Sequence, residues 1–240
     1  MSTLLSLNIN GGLGAQLRPL TALLAELDAD VLCLQECSRA VGPWLQSRLA
    51  GDWQEVYAPA TYNGNAILSR FPITRRSRIS LETPGHTEQR SAADAVIALP
   101  EGALRVCCVH LDHVLEDLRL AQWAALSAET DAVAGGLLCG DLNALCRSDY
   151  SASQWAVIAE GRRTSRWEVP ESRLMETIFA AGFRDAAAGC EIAPTSRFNT
   201  RIDYILAADD CPWRFARYTT VEALALGVTD HNGVMVRLTR

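Results

Sequence analysis

Two polar residues, Asp141 and Asn143, directly follow the short apolar run Leu137–Cys139. Alternate side chains of a strand point to the same face, so we expect this carboxylate and this carboxamide to project together from a strand end. A carboxylate only accepts hydrogen bonds, whereas an amide both donates and accepts, and the pair suits the alignment of a water molecule against a phosphate. Taken alone, the same residues are more typical of an ordinary polar turn.

The same arrangement recurs along the chain. Five apolar runs end in a residue type that can bind a metal ion or move a proton. Open α/β sheets place their sites just beyond strand ends, where the scaffold is rigid and the backbone leaves the core. The recurrence therefore predicts one shared site that contains Asn8, Glu36, His110, Asp141 with Asn143, and Asp230 with His231.

Two of these strand ends suggest a metal ligand and a base. Glu36 is the best candidate ligand, because Mg²⁺ takes one or two protein carboxylates and completes its shell with water and substrate phosphate. Asp230 either shares the ion or holds His231 in position. His231 is the candidate general base, since imidazole titrates near neutral pH without help. Asp203 interrupts an apolar run, where an unpaired carboxylate would be costly, and is the candidate group that orients His231.

Histidine and arginine supply the remaining candidates. His110 either protonates the leaving oxygen or braces the phosphoryl group, and Asp112, on the same strand face, would fix its tautomer. A zinc site made of His110, Asp112 and His113 is disfavoured, because no further His or Cys at recognisable spacing completes four ligands. Arg90 and Arg119 are candidate phosphate clamps, since guanidinium can bind phosphate through two parallel N–H donors.

Charge and composition narrow the substrate class. The 240 residues carry a net charge of −6, and all 22 basic residues are arginine. The acidic balance argues against a protein that coats long nucleic acid, but not against a small phosphate ester held locally with a metal. No apolar run reaches the about 18 residues that span a membrane. The eight cysteines form no CxxC pair and no signal peptide is recognisable, so we expect reduced, packed thiols in a cytoplasmic protein.

The elements that must position these residues alternate between strands and helices. A strand at Leu4–Leu7, a helix over about 16–28 and a buried strand at Val31–Leu34 predict a crossover connection with some parallel pairing. No linker divides the chain, so residues 1–240 are predicted to form one domain. Further helices are predicted near 40–50, 115–134, 151–160 and 171–181, and further strands at 53–58, 64–69, 73–81, 92–99, 104–110, 202–206, 213–223 and 234–238.

Seven motifs, taken together and in this order, resemble the endonuclease/exonuclease/phosphatase superfamily over residues 4 to 238. The superfamily includes deoxyribonucleases, abasic-site nucleases, sphingomyelinases, inositol-polyphosphate 5-phosphatases, deadenylases and tyrosyl-DNA phosphodiesterases. The resemblance implies a four-layer α/β/β/α sandwich, with two mixed β-sheets packed face to face and helices outside, and Mg²⁺-dependent cleavage of a phosphoester. The motifs are Leu-Asn8-Ile, Leu-Gln-Glu36, Asn65–Pro72, His110–His113, Gly140–Asn143, Arg201–Tyr204 and Thr-Asp230-His231.

The resemblance also implies a role for each matching residue. Glu36 would bind Mg²⁺, and Asn8 would lie beside it. Asp141 and Asn143 would position the attacking water and the phosphate. His231 would act as the general base together with Asp203, and Asp230 would lie near the ion.

Two departures from the superfamily's patterns bear on the substrate. Abasic-site nucleases carry Asp where this chain has Asn10, and Tyr where it has His110, whereas deoxyribonuclease-like and sphingomyelinase-like members carry His at the second position. The chain also lacks the tryptophan-cysteine-aspartate-arginine signature of the inositol phosphatases. These departures point away from abasic-site repair and inositide hydrolysis and do not identify a substrate.

The sequence as a whole predicts a hydrolase with Mg²⁺, or Mn²⁺ as a substitute, that cleaves a phosphodiester or phosphomonoester by in-line attack of water. The alternative is a catalytically silent module that binds a phosphate ligand on the same scaffold. The expected partner is a phosphate-ester substrate, which includes nucleotides and short or single-stranded nucleic acid. No protein partner and no membrane insertion are expected.

Overall fold

Two six-stranded sheets form the centre of the computed structural model, which describes residues 1–11, 14–61, 63–129 and 135–240. In spatial order, the first sheet contains β11 (Arg214–Val221), β12 (Gly233–Thr239), β1 (Ser2–Gly11), β2 (Val31–Cys37), β4 (Gly64–Ser69) and β3 (Gln54–Ala58). The second contains β5 (Ile73–Ser80), β6 (Ser91–Leu99), β7 (Gly102–His110), β8 (Leu137–Asp141), β10 (Asp203–Ala208) and β9 (Phe183–Asp185). Each sheet has one parallel pair, β1 with β2 and β7 with β8, so both sheets are mixed.

Helices cover the outer faces of both sheets. The first sheet packs against α1 (Leu17–Leu27) and α2 (Val41–Gln46), and the second against α3 (Glu116–Ala128) and α5 (Arg173–Ala180). The remaining helix, α4 (Ala152–Thr164), begins with a capping box and is at least partly exposed along its whole length. The predicted four-layer α/β/β/α sandwich is therefore confirmed.

Alternation along the strands separates two hydrophobic clusters. In β1, Leu4 lies in the cluster between the sheets, whereas Leu5 and Leu7 face the helices of the first sheet. The same alternation in β2 points Cys33 inward and Leu34 outward. Because side chains two residues apart share a face, the inward-facing positions of β1 lead to Asn8, at the end of the strand and between the two sheets.

Strand register explains why the polar strand ends meet. In the second sheet, His110 pairs with Asp141, and Asp141 pairs with Asp203 on the other side. In the first sheet, β12 runs antiparallel to β1 and begins beside its carboxyl end, so the chain just before β12 delivers His231 to the same edge. The segment is fastened there by the Thr229 hydroxyl, which donates a 2.8 Å hydrogen bond to the Asn8 carbonyl.

Gly140 allows β7 and β8 to approach each other closely. Its backbone has a φ of 145°, and a Cβ atom at this position would lie 1.9 Å from the Val109 carbonyl oxygen. No side chain fits within that distance, so glycine is required immediately before the site carboxylate Asp141.

The observed elements follow the sequence predictions closely, and β1, β9 and α3 show the clearest differences. β1 begins at Ser2 and includes Asn8, and the short strand β9 was not predicted. The helix predicted over about 115–134 begins at Glu116 and ends at Ala128, and its positions 130–134 lie outside the described residues.

All eight cysteines are free, and all but Cys190 are buried. Among the described residues, no helix is both long and apolar enough to cross a membrane.

Candidate active site

One carboxamide joins the two sheets at the centre of the site. The Asn8 amide nitrogen donates hydrogen bonds to Glu36 Oε1 at 3.2 Å and to Asp141 Oδ2 at 3.0 Å. Its amide oxygen accepts a hydrogen bond from the Asn10 backbone N–H at 3.0 Å, which fixes the orientation of the amide. Asn8 and Asp141 are buried, so the carboxylates of Glu36 and Asp141 are held beside each other in a largely water-excluded setting.

A backbone irregularity turns Glu36 toward this amide. Strict alternation along β2 would place Glu36 on the same face as Leu34, under the helices. Instead, the register of β2 shifts between Leu34 and Cys37, and Glu36 adopts a left-handed conformation with a φ of 48°. Such a conformation is costly for a residue other than glycine and is often found at functional sites.

Asp141 and Asn143 meet as predicted, but through a turn rather than through strand alternation. Asn143 also has a left-handed backbone, with a φ of 49°, and its N–H donates to Asp141 Oδ1 at 2.9 Å. The Asn143 amide nitrogen donates to the Leu111 carbonyl at 3.1 Å and lies 3.1 Å from His110 Nε2. The turn therefore brings the carboxylate, the carboxamide and the imidazole together.

Arg90 determines the tautomer of His110. Its Nη1 atom lies 3.2 Å from His110 Nδ1, and because guanidinium has only donors, Nδ1 must be the acceptor. Burial and the charge of Arg90 lower the pKa of His110 well below its usual value, so the imidazole is neutral and carries its proton on Nε2. Nε2 lies 3.6 Å from Asp141 Oδ2.

Two N–H donors face each other at the edge of the site. His110 Nε2 is a donor in this tautomer, and the Asn143 amide nitrogen has a second hydrogen besides the one that it gives to Leu111. Two donors cannot bond to each other. Both are therefore free to bind one shared acceptor, and a phosphoryl oxygen is an acceptor of the right kind.

His231 and Asp203 form a buried pair. His231 Nδ1 lies 2.9 Å from Asp203 Oδ2, and Nε2 lies 3.7 Å from Asp141 Oδ2. Burial lowers the pKa of His231, but the carboxylate of Asp203, followed by those of Asp141 and Asp230, outweighs burial and raises that pKa to about 10. Thr195 positions Asp203 by accepting its backbone N–H at 3.0 Å.

The donor set fits a hard divalent cation. Burial and the neighbouring Asp203 carboxylate raise the pKa of Asp141 to about 7, although His231 and Asn8 act in the opposite direction. The raised pKa of His231 reports the negative charge of the surrounding carboxylates, and the raised pKa of Asp141, due first to burial and then to Asp203, shows that its own charge is poorly stabilised. A cation would stabilise these carboxylates. The nearby ligand atoms are mostly oxygens, which Mg²⁺ and Mn²⁺ prefer. On these grounds the residues fit such an ion.

Two positions within the site could hold that ion. The ligand atoms of Asp141, Asp203 and His231 lie within 4.8 Å of one another. However, His231 Nδ1 and Asp203 Oδ2 already bond to each other, so an ion between them would have to replace that bond. The carboxylates of Glu36 and Asp141, joined by Asn8, offer oxygens at no such cost. We therefore favour the Glu36 side of the pocket for a metal ion.

Three predicted residues have other partners. The buried Arg119 guanidinium contacts Glu116 Oε2 at 2.8 Å, Glu168 Oε2 at 2.6 Å and the Asp112 carbonyl at 3.2 Å, so the structure does not bring it into the cluster. The side chain of Asp230 is 29% exposed, and its Oδ2 atom forms an ion pair with Arg197 Nη1 at 3.2 Å. The expectation that Asp112 fixes the tautomer of His110 is wrong: its carboxylate accepts two backbone N–H groups before α3, and Arg90 occupies the position at Nδ1.

Sequence reasoning missed residues that support the site from behind. Thr195 holds Asp203, Thr229 holds β1, and Arg201 bonds to Asp185 at 2.7 and 2.8 Å through two nitrogens. Arg201 is buried, and its pKa is raised through this carboxylate although burial acts in the opposite direction. Threonine and arginine are common on surfaces, so only the position of Arg201 inside the Arg-Ile-Asp-Tyr motif was a usable signal.

The comparisons with known proteins agree with this fold. The sequence model of the Endonuclease/Exonuclease/phosphatase family matches residues 5–231. No curated protein matches the chain significantly. An endonuclease/exonuclease/phosphatase structure from Beutenbergia cavernae is similar with a TM-score of 0.75 and 20% identity, and the match covers 99% of this chain and 71% of that one.

Two further solved structures share the fold along nearly their whole length. The mannosyl-6-phosphatase of Bacteroides thetaiotaomicron has a TM-score of 0.73 and 16% identity, and the match covers 100% of both chains. A humanized TDP2 of D. rerio has a TM-score of 0.70 and 18% identity, with 100% of this chain and 99% of that one covered. At these identities the three structures establish the fold, while the family match rests on the sequence.

Proposed function

The chain belongs to the Endonuclease/Exonuclease/phosphatase family, and we propose that it hydrolyses a phosphoester bond by in-line attack of an activated water molecule. One observation carries the proposal. Seven polar side chains that are far apart in the sequence converge at one edge of the two sheets and contact one another directly. These residues are Asn8, Glu36, His110, Asp141, Asn143, Asp203 and His231.

Glu36 is the residue that we propose as the main metal ligand, with Asp141 and Asn8 beside it and Asp230 at the edge of the pocket. When bound there, Mg²⁺ or Mn²⁺ would supply positive charge to the phosphoryl oxygens. The Asn8 amide keeps the two carboxylates at a fixed separation, since it donates to both. Fixed ligands of this kind suit Mg²⁺, which demands a regular geometry and retains several waters.

The pair of His231 and Asp203 is proposed to take the proton from the attacking water. Asp203 makes His231 Nε2 a stronger base and stabilises the imidazolium that forms after proton transfer. Because the pKa of His231 is raised to about 10 in the metal-free protein, the imidazole is mostly protonated at neutral pH, and the fraction in the base form rises as the pH approaches 10. Asp141 and Asn143, which share one hydrogen-bonded turn, would hold the water and the phosphate in line.

His110 and Asn143 are proposed to bind a phosphoryl oxygen through the two N–H donors that face each other. The neutral state of His110 favours this bracing role over protonation of the leaving oxygen, since Nε2–H remains a donor without carrying a charge. Arg90 keeps that donor in place from the other side of the ring. Donors that are already oriented need no rearrangement when charge develops in the transition state.

A substrate panel tests the proposal. The panel contains bis-(p-nitrophenyl) phosphate, p-nitrophenyl phosphate, short oligonucleotides and mannose 6-phosphate, the last because one similar structure is a mannosyl-6-phosphatase. We expect turnover with Mg²⁺ or Mn²⁺ by the wild type and by Glu26→Gln, an exposed control on α1. Glu36→Gln should be inactive, and His231→Ala should be about 10²- to 10⁴-fold slower.

A wild type that turns over none of these substrates faster than Glu36→Gln would contradict the proposal. Binding of phosphate compounds without any turnover would instead support the silent binding module.

We also propose a cytoplasmic location for the protein, because its eight free thiols suit a reducing compartment.

A further inference from the structure

Two aromatic rings, Trp167 and Phe198, form an exposed pair beside the site. We call this pair the aromatic rim. The ring centroids lie 4.7 Å apart and the planes meet at 88°, an edge-to-face contact. Trp167 is 49% exposed and Phe198 is 51% exposed. Two exposed rings in mutual contact offer an apolar surface on which a flat ligand can stack.

Phe198 belongs to a segment that pairs with the backbone of His231, the proposed base. Ser196 forms a β-bridge with His231, and the Arg197 backbone N–H donates to the Asp230 carbonyl at 3.2 Å. The Phe198 N–H then donates to the Ser196 hydroxyl at 3.2 Å. The ring of Phe198 therefore extends from the short segment that lies directly against His231.

The Trp167 side of the aromatic rim is linked to the segment that follows His110. The next residue, Glu168, accepts hydrogen bonds from the Glu116 N–H and from Arg119 at 2.6 Å each. Arg119 in turn donates to the carbonyl of Asp112, two residues beyond His110. The contact between the two rings therefore joins the segment that follows His110 to the segment that lies against His231.

Two exposed arginines lie beside the aromatic rim. The Arg197 guanidinium lies 4.9 Å from the centroid of the Phe198 ring and pairs with Asp230 at 3.2 Å, and its side chain is 59% exposed. Arg166, directly before Trp167, is exposed and has a left-handed backbone with a φ of 57°. The nearby carboxylates of Glu168 and Asp230 are already in ion pairs. Their negative charge is therefore compensated next to the aromatic rim.

We propose that the aromatic rim stacks a nucleobase of the substrate next to the hydrolysed phosphate, so that the substrate is a nucleotide or a short single-stranded nucleic acid. This inference rests on the proposed function, because it assigns a substrate class to the same site. A flat base provides a π-face for Trp167 or Phe198, and neighbouring phosphates would approach Arg166 and Arg197. Duplex DNA fits less well, since its bases already stack on one another and the net charge of the chain is −6.

Paired ligands that differ only in the base test this inference. Binding of thymidine 5′-monophosphate and of deoxyribose 5-phosphate is measured by titration calorimetry with Mg²⁺, with every variant in a His231→Ala background that blocks turnover. We expect the nucleotide to bind about 5- to 150-fold more tightly, the range for one base on an aromatic ring. Trp167→Ala and Phe198→Ala should reduce this preference, the double variant should abolish it, and Trp167→Phe should retain part of it.

Val157→Ala is the matched control, because Val157 is an exposed apolar residue on α4 outside the aromatic rim. It should keep the full preference. Equal affinity for the two ligands, tighter binding of mannose 6-phosphate, or a preference that survives in the double variant would overturn the inference. The proposed function fails by a different result, namely absence of turnover in the otherwise wild-type protein, so the two failures can be told apart.

Discussion

The protonation of His231 depends most strongly on the Asp203 carboxylate. Asp203→Asn keeps the shape of the side chain but removes its charge, so we predict that the pKa of His231 falls from about 10 toward the ordinary value of about 6.5. The ¹⁵N shifts of the imidazole, followed against pH in the metal-free protein, measure this directly. A midpoint near 6.5 in the wild type, or an unchanged midpoint in Asp203→Asn, would contradict the electrostatics described here.

The same pair links stability to pH. The folded-state pKa of His231 lies above its unfolded value, so the stabilisation by the protonated imidazole is complete below about pH 6.5 and is lost as the pH rises through about 10. The difference in unfolding free energy between the wild type and Asp203→Asn should therefore shrink across this window. Urea denaturation at a series of pH values provides the measurement, and a difference that grows with pH would reverse the expected sign.

Arg90 acts on the phosphoryl group through His110. Arg90→Met removes both the donor to Nδ1 and the charge that helps burial to lower the pKa of His110, so this pKa should rise and the Nε2–H tautomer should no longer be enforced. We expect kcat to fall by about 10- to 100-fold, a typical loss for a partner that orients a functional histidine. Imidazole ¹⁵N shifts report the tautomer, and an unchanged tautomer with lowered kcat would mean that Arg90 contacts the substrate directly.

At the scale of elements, the close approach of β7 and β8 fixes the position of Asp141. Gly140→Ala would place a Cβ atom 1.9 Å from the Val109 carbonyl oxygen and force a backbone with a φ of 145° on alanine. We predict a loss of about 1–3 kcal/mol or more in the free energy of unfolding, measured by denaturant titration.

Gly161 offers the matched control for this substitution. It lies inside α4, and a Cβ atom added there would meet nothing within 4 Å. Gly161→Ala should stabilise the protein by about 0.5–1 kcal/mol, because alanine is the better helix former. Equal effects of the two substitutions would show that the β7–β8 contact is not as tight as described.

Strand ends were predictable from the sequence because apolar runs and alternation are local properties. β2, β7 and β8 end close to where the runs at Val31–Leu34, 104–110 and Leu137–Cys139 predicted. Side-chain partners were less predictable. Arg119 has the residue type of a phosphate clamp, but its position on α3 directs it to Glu116 and Glu168, and only tertiary packing decides that choice.

At the scale of the whole molecule, the site exists because the first and last strands are neighbours. β1 pairs with both β2 and β12, so Asn8, Glu36 and His231 come from opposite ends of the chain to one edge of the first sheet. The second sheet then supplies Asp141 across the interface. Spacing along the sequence does not show which strands are neighbours or how far apart their polar ends lie. The resemblance of the seven ordered motifs to a known family, confirmed by the family match, supplied that information instead.

The most direct test of the central claim is the location of a metal ion in crystals soaked with Mn²⁺ and inorganic phosphate. An anomalous difference map should show a peak about 2.1 Å from a Glu36 carboxylate oxygen, with Asp141 and His231 lining the same pocket. A second cluster of possible metal ligands, Glu88, Asp112 and His113, is the alternative position for the ion. The Arg90 guanidinium lies within hydrogen-bonding distance of Glu88 and His113 in that cluster. A peak there, and none at Glu36, would contradict the account.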